Sequence, residues 1–157
     1  MSAPSDDDAW AWAREERPAV EPSLDPARVV AVMVAHEAGE WFARTLVALG
    51  RLEPRPGRVI VVDTGSGDAT TDLLDKALSE GLVDRVVTTE ATTPFADAAN
   101  LGWRDAGLGP HDWVWFLHDD CEPTRTTLAA LLTEAARVPQ PAAVVPALLR
   151  PRRRNRP

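Results

Sequence analysis

In the stretch 113–123, WVWFLHDDCEP, the acids Asp119 and Asp120 follow directly on Trp113, Val114, Trp115, Phe116 and Leu117. A run this rich in aromatic and β-branched residues reads as a strand buried on both faces of a sheet. Two adjacent carboxylates at its end repel each other and need an arginine, water or a bound cation between them. A third acid stands in the same kind of place. In RVIVVDTGSGDAT, Asp63 follows the apolar run 59–62, and Gly65, Ser66 and Gly67 behind it let the backbone turn tightly. A carboxylate there can accept hydrogen bonds from a ribose hydroxyl or a base imide; equally, it can cap the turn or the helix that follows. The glycine spacing is neither G-x-G-x-x-G nor G-x-x-x-x-G-K-[ST], so no dinucleotide fingerprint and no P-loop is indicated. If Asp63, Asp119 and Asp120 share one rim, their repulsion either holds a proton or recruits a divalent cation. A hard ion such as Mg²⁺ or Mn²⁺ takes few protein oxygens and completes its shell with those of a substrate diphosphate.

These residues need elements to hold them. RVVAVMVAH, from Arg28, is an apolar run of strand length, and EWFARTLVALGRL has apolar positions at helical spacing. The theme repeats as a strand at 59–62, then a helix in DATTDLLDKALSEG closed by Gly81. VDRVVTTE reads as a third strand, TPFADAANLGWRDAG as a helix with small residues on one side, and WVWFLHDD as a fourth strand. TRTTLAALLTEAARV is a final helix stopping before Pro139, and AAVVPALL a further short strand. Alternating strands and helices predict a three-layer α/β/α fold with a mainly parallel sheet. Ligands bind such sheets at the carboxyl ends of the strands, which places Ala35, His36 and Glu37, the turn from Asp63 to Asp68, and Asp119 with Asp120 on one rim.

The 157 residues, 45% hydrophobic and 26% charged, suit one domain with a real core, expected over 28–149. Residues 1–27 are rich in acids and prolines and read as a disordered leader, with Trp10 and Trp12 as the exception, suited to docking a short helix on the body or on a partner. The arginines of 150–157 read as a solvated tail. A net charge of −7 argues against general nucleic-acid binding. The single cysteine, Cys121, excludes an internal disulfide framework and a multi-thiolate zinc site. No apolar run is long enough to span a bilayer and the first residues are acidic, so the expected location is cytoplasmic.

Taken in order, VVAVMVAHEAGEWFARTLVALGRL, RVIVVDTGSGDATTDLL, PFADAANLGWRDA and WVWFLHDDCEP resemble the amino-terminal, nucleotide-sugar-binding half of a family 2 glycosyltransferase of the GT-A fold, over about residues 28–149. The resemblance implies transfer of a sugar from a nucleoside diphosphate sugar to an acceptor hydroxyl with Mg²⁺ or Mn²⁺; the acceptor stays open. It assigns Asp63 to the base or ribose, with Gly65, Ser66 and Asp68 shaping the same turn. Asn100 and Gly102 are assigned to the pocket near the sugar, and Asp119 and Asp120 to the metal and diphosphate. Two departures matter. The first strand ends VAHEAG, leaving His36 and Glu37 where the base packs, and the acidic motif reads HDDCE, so which two of Asp119, Asp120 and Glu122 grip metal is open. No catalytic residue is assigned: the general base is expected in an acceptor half beyond this portion, which reads as truncated from a longer parent, through which alone any membrane association is expected.

Two other classes compete. One is a nucleotide-binding or interaction domain that processes no acceptor. The other is a phosphoacceptor signalling domain with Asp63 as acceptor, which wants an acidic pair after the first strand and a lysine near the last; the first strand offers only Glu37, and Lys76 lies on a helix.

Overall fold

A computed structural model describes residues 24–138 and 141–148. Most of the acidic leader, with Trp10 and Trp12, and the arginine-rich tail lie outside them. A short 3₁₀ turn, Pro26–Arg28, leads in; Asp25 caps it by accepting from the Ala27 amide at 2.9 Å. The elements then run β1 (Val29–Ala35), α1 (Gly39–Gly50), β2 (Arg58–Thr64), α2 (Asp68–Ser79), β3 (Arg85–Thr89), α3 (Phe95–Asp105), β4 (Trp113–His118) and α4 (Thr127–Ala135). All strand pairs are parallel and the order is β3-β2-β1-β4.

The alternation of side chains along each strand sorts the core into two sides. Ala31, Met33 and Ala35 of β1, with Val59 and Val61 of β2, pack under Phe42, Leu46 and Leu49 of α1 and Leu74 and Ala77 of α2. Val29 joins Leu128 and Leu132, so α4 covers the same face. On the other face Val30, Val32, Val34, Ile60 and Val62 meet α3 through Ala98, Ala99 and Ala106. These are the small residues the sequence placed on one side of that helix. Gly102 belongs to the same contact, because a Cβ there would lie 2.5 Å from Val32 Cγ1 and 2.9 Å from Val62 Cγ2. The result is a three-layer α/β/α sandwich. The connections from β1 to β3 keep to one face and the return from β3 to β4 uses the other, as crossovers of a single hand require.

Two expectations are corrected. Strand β4 is not buried on both faces: among the described residues it pairs only with β1, Leu117 is its one buried residue, and Phe116 is 49% exposed. Its apolar run serves the α1 and α4 side through Trp113, Trp115 and Leu117. The stretch 142–148 is not a strand; Val145 and Leu148 are largely exposed and Pro146 has no amide to give a ladder.

Candidate functional site

The rim at the carboxyl ends of β1, β2 and β4 is held together by short polar contacts. Residue Ala35, the last of β1, is the Cα partner of Asp63, while Val34 pairs with His118, so Asp119 follows just past the end of the β1–β4 ladder. The strand order reverses here, with β2 and β4 on opposite sides of β1, the place where open α/β sheets form a crevice.

On the β2 side, Asp63 is buried, 5% exposed, and its Oδ1 accepts from the Ser66 amide at 3.1 Å. The Ser66 hydroxyl in turn accepts from the Glu37 amide at 3.0 Å, joining the loops after β1 and β2. Gly65 has a φ of +65°, and a Cβ there would stand 2.8 Å from the Ala91 amide nitrogen, so this turn admits only glycine without rearrangement. Glu37 has a φ of 44°, uncommon for a side-chain-bearing residue and a form of strain that collects at functional loops. Thr64 Oγ1 donates to the Ala35 carbonyl at 3.1 Å and lies 2.9 Å from His36 Nδ1, which also lies 3.0 Å from the Thr64 carbonyl. Both contacts are satisfied if the proton sits on Nδ1, and they tie His36 to the strand end. Asp68 opens α2, which starts without a side-chain cap.

On the β4 side, Asp119 is 8% exposed and fastened from three directions. Its Oδ2 accepts from the His36 amide at 3.1 Å, its carbonyl accepts from Thr45 Oγ1 at 2.7 Å, and its Oδ1 lies 2.9 Å from His118 Nδ1. Asp120, largely exposed, places Oδ1 3.0 Å from the same nitrogen. The His118 ring is stacked on Phe95, the first residue of α3, with centroids 5.6 Å apart and planes at 20°. Donor atoms of His118, Asp119 and Asp120 all lie within 4.8 Å of one another. Two carboxylates and an imidazole are a suitable donor set for a divalent cation, so the residues fit a metal of the class the sequence implies.

The structure thus divides the expected three-acid pocket into two parts. Asp63 sits in its own turn, two strand spacings or ~10 Å across the sheet from the Asp119 position, and is outside the compact donor group. Glu122 is not in that group either: it pairs with Arg44 of α1 at 2.5 Å, its charge answered on the helix face. Asn100 is exposed and lies about 7.5 Å along the α3 axis from Phe95, and Gly102 is a helix-to-sheet packing contact with no side chain to offer a sugar. Four residues that the sequence did not single out shape the rim: His118, whose only signal was its place beside the two acids, and Thr45, Thr64 and Phe95, whose roles depend on partners distant in sequence or on the turn between strands.

The α/β/α layers and parallel sheet are those of the GT-A nucleotide-diphospho-sugar transferase fold. The chain belongs to glycosyl transferase family 2: the family model of that description matches residues 30–155. A comparison with curated protein sequences returns no match. Among solved structures, S. aureus TarS 1–349 in complex with UDP-GlcNAc superposes with a TM-score of 0.54 at 20% identity, over 68% of this chain and 31% of that one. The same TarS portion in complex with UDP gives 0.54 and 20% over 68% and 32%. Longer S. aureus TarS gives 0.53 and 18%, over 68% of this chain and 19% of that one. At these identities the likeness is one of fold, and the chain spans a third or less of the TarS chains it matches. Among the described residues no helix is long and apolar enough to cross a membrane.

Proposed function

We propose that this chain is the donor-binding portion of a family 2 glycosyltransferase, which holds a nucleoside diphosphate sugar across the rim for attack by an acceptor hydroxyl. The observation that carries the reading is the placement of Asp63 at the end of β2 and of Asp119 and Asp120 past the end of β4, on either side of β1 where the strand order reverses. TarS, of the same fold, has been solved with UDP-GlcNAc and with UDP, which supports a nucleotide-sugar donor.

In this reading Asp63 accepts a hydrogen bond from the ribose or the base, and the Gly65–Ser66 turn lets the ligand approach the backbone closely. Its Oδ1 is already held by the Ser66 amide, so the carboxylate is fixed before the ligand arrives. His36 and Glu37, anchored to Thr64 and Ser66, form the wall beside it. Asp119 and Asp120 would hold Mg²⁺ or Mn²⁺, which would supply positive charge against the negative charge that builds on a departing diphosphate. Asp119 is kept in position by the His36 amide and the Thr45 hydroxyl, whereas exposed Asp120 can adjust to the ligand. The base that takes the acceptor's proton is expected from outside this portion.

Calorimetric titration of UDP-, GDP- and dTDP-sugars into the wild type and into Asp63→Ala tests the donor assignment. Loss of a hydrogen bond to a charged group, about 1.5–3 kcal/mol, should weaken the preferred donor by roughly ten- to a hundredfold in Asp63→Ala, with or without Mn²⁺. Equal binding by both proteins would remove Asp63 from the site.

A further inference from the structure

We infer that His118 is a direct ligand of the cation, and that its nitrogen shifts the site's preference from Mg²⁺ toward Mn²⁺. The inference rests on the metal reading proposed above and concerns what this chain's own residues add to it. His118 closes β4, so its backbone is fixed by the ladder to Val34. Its Nδ1 lies 2.9 Å from Asp119 Oδ1 and 3.0 Å from Asp120 Oδ1. Adjacent ligands of an octahedral ion with bonds of about 2.1 Å are roughly 3.0 Å apart, so the three atoms already stand at the spacing of neighbouring ligands.

The surroundings favour the same arrangement. Asp119 Oδ2 is engaged by the His36 amide, which leaves Oδ1, the oxygen beside His118, for an ion. Phe95 is stacked on the imidazole and limits its rotation, which makes Phe95 a positioning residue for the ligand atom. Without an ion, a proton on Nδ1 accounts for the contacts to the two carboxylates; the ion would take that proton's place, the neutral imidazole carrying its own proton on Nε2 and a lone pair on Nδ1. Mg²⁺ prefers an all-oxygen shell, whereas first-row transition ions accept imidazole nitrogen alongside carboxylates.

Pulsed electron paramagnetic resonance of Mn²⁺ on the full chain, alone and with UDP, GDP and dTDP in turn, reads the coordination directly. The wild type should show ¹⁴N modulation from a bound imidazole. His118→Asp should still bind Mn²⁺ but lose that modulation, and its Mn²⁺-over-Mg²⁺ affinity ratio, measured by competition, should fall at least tenfold. His118→Gln, with folding of both variants checked by circular dichroism, should lose the modulation without gaining Mg²⁺ affinity. Bound Mn²⁺ with no nitrogen modulation in the wild type, or modulation that survives in His118→Asp, would overturn the ligand assignment and leave the two-aspartate site standing. No Mn²⁺ binding by the wild type under any of these conditions would overturn both.

Discussion

Thr45 has no chemistry of its own to offer a sugar donor, yet its hydroxyl holds the backbone carbonyl of Asp119, one of the two buried rim acids. Replacing it by valine keeps the shape and leaves a buried acceptor without its donor, at a cost of about 1–2 kcal/mol. Thr45→Val should therefore unfold at lower urea concentration, and should bind Mn²⁺ about tenfold more weakly because a supporting contact of a ligand is lost. Unchanged values for both would mean that Asp119 is positioned without Thr45. At this scale the sequence was partly legible. Asp63, Asp119 and Asp120 could be read as rim acids because each follows an apolar run that must be a strand. Glu122 looked equivalent to them, but its partner is Arg44 on a helix far earlier in the chain, and nothing local announces that pair. Phe95 stacking on His118 and Thr64 engaging His36 were hidden for the same reason.

Among the elements, α3 shows a residue expected at the sugar pocket, Gly102, carrying a packing contact with the sheet. The run of Ala98, Ala99, Gly102 and Ala106 marked a face of close approach, and that face packs on Val32 and Val62. Gly102→Ala should destabilise the fold by about 1–3 kcal/mol through overpacking, read as a lowered urea midpoint, with nucleotide affinity unchanged where the protein remains folded. Unaltered stability with weakened donor binding would instead return Gly102 to the sugar pocket. Among the described residues, the loop between α3 and β4 carries the one acid whose titration is clearly displaced. Asp112 accepts from the Gly109 amide at 2.8 Å and pairs with Arg28 at 2.7 Å, and these hold its carboxyl below the usual carboxylate range. A group whose value is lower in the folded state stabilises the protein above its unfolded value, about 3.9. That stability is lost as pH falls through the lower folded value. Asp112→Asn should therefore be less stable than the wild type at neutral pH, and the gap should close in acid below about pH 4; a gap independent of pH would contradict the assignment. The strands themselves were legible from continuous apolar runs. Burial of β4 was not, because an apolar run does not say whether a second strand lies beyond it, and the stretch 142–148 has strand-like composition without a ladder to join.

For the whole molecule, the four parallel strands set the distance between the two halves of the rim, and that spacing matters more than any one acid. A ligand held by Asp63 at one end and by Asp119 and Asp120 at the other must carry a base or ribose and a diphosphate on the same molecule. Neither half alone distinguishes this from a capped turn and a pair of adjacent acids, one buried and one exposed. Thermodynamic coupling between metal and nucleotide tests the claim most directly. Calorimetric titration of UDP, or of whichever nucleoside diphosphate binds best, with and without saturating Mn²⁺ should show at least a tenfold gain from the metal. By linkage the nucleotide should tighten Mn²⁺ binding by the same factor. The parent nucleoside, which has no phosphates, should show no gain, and Asp120→Ala should abolish the coupling while still binding the nucleotide. Equal affinity of the diphosphate with and without Mn²⁺, or the same gain for the bare nucleoside, would contradict a rim built to bridge base and diphosphate.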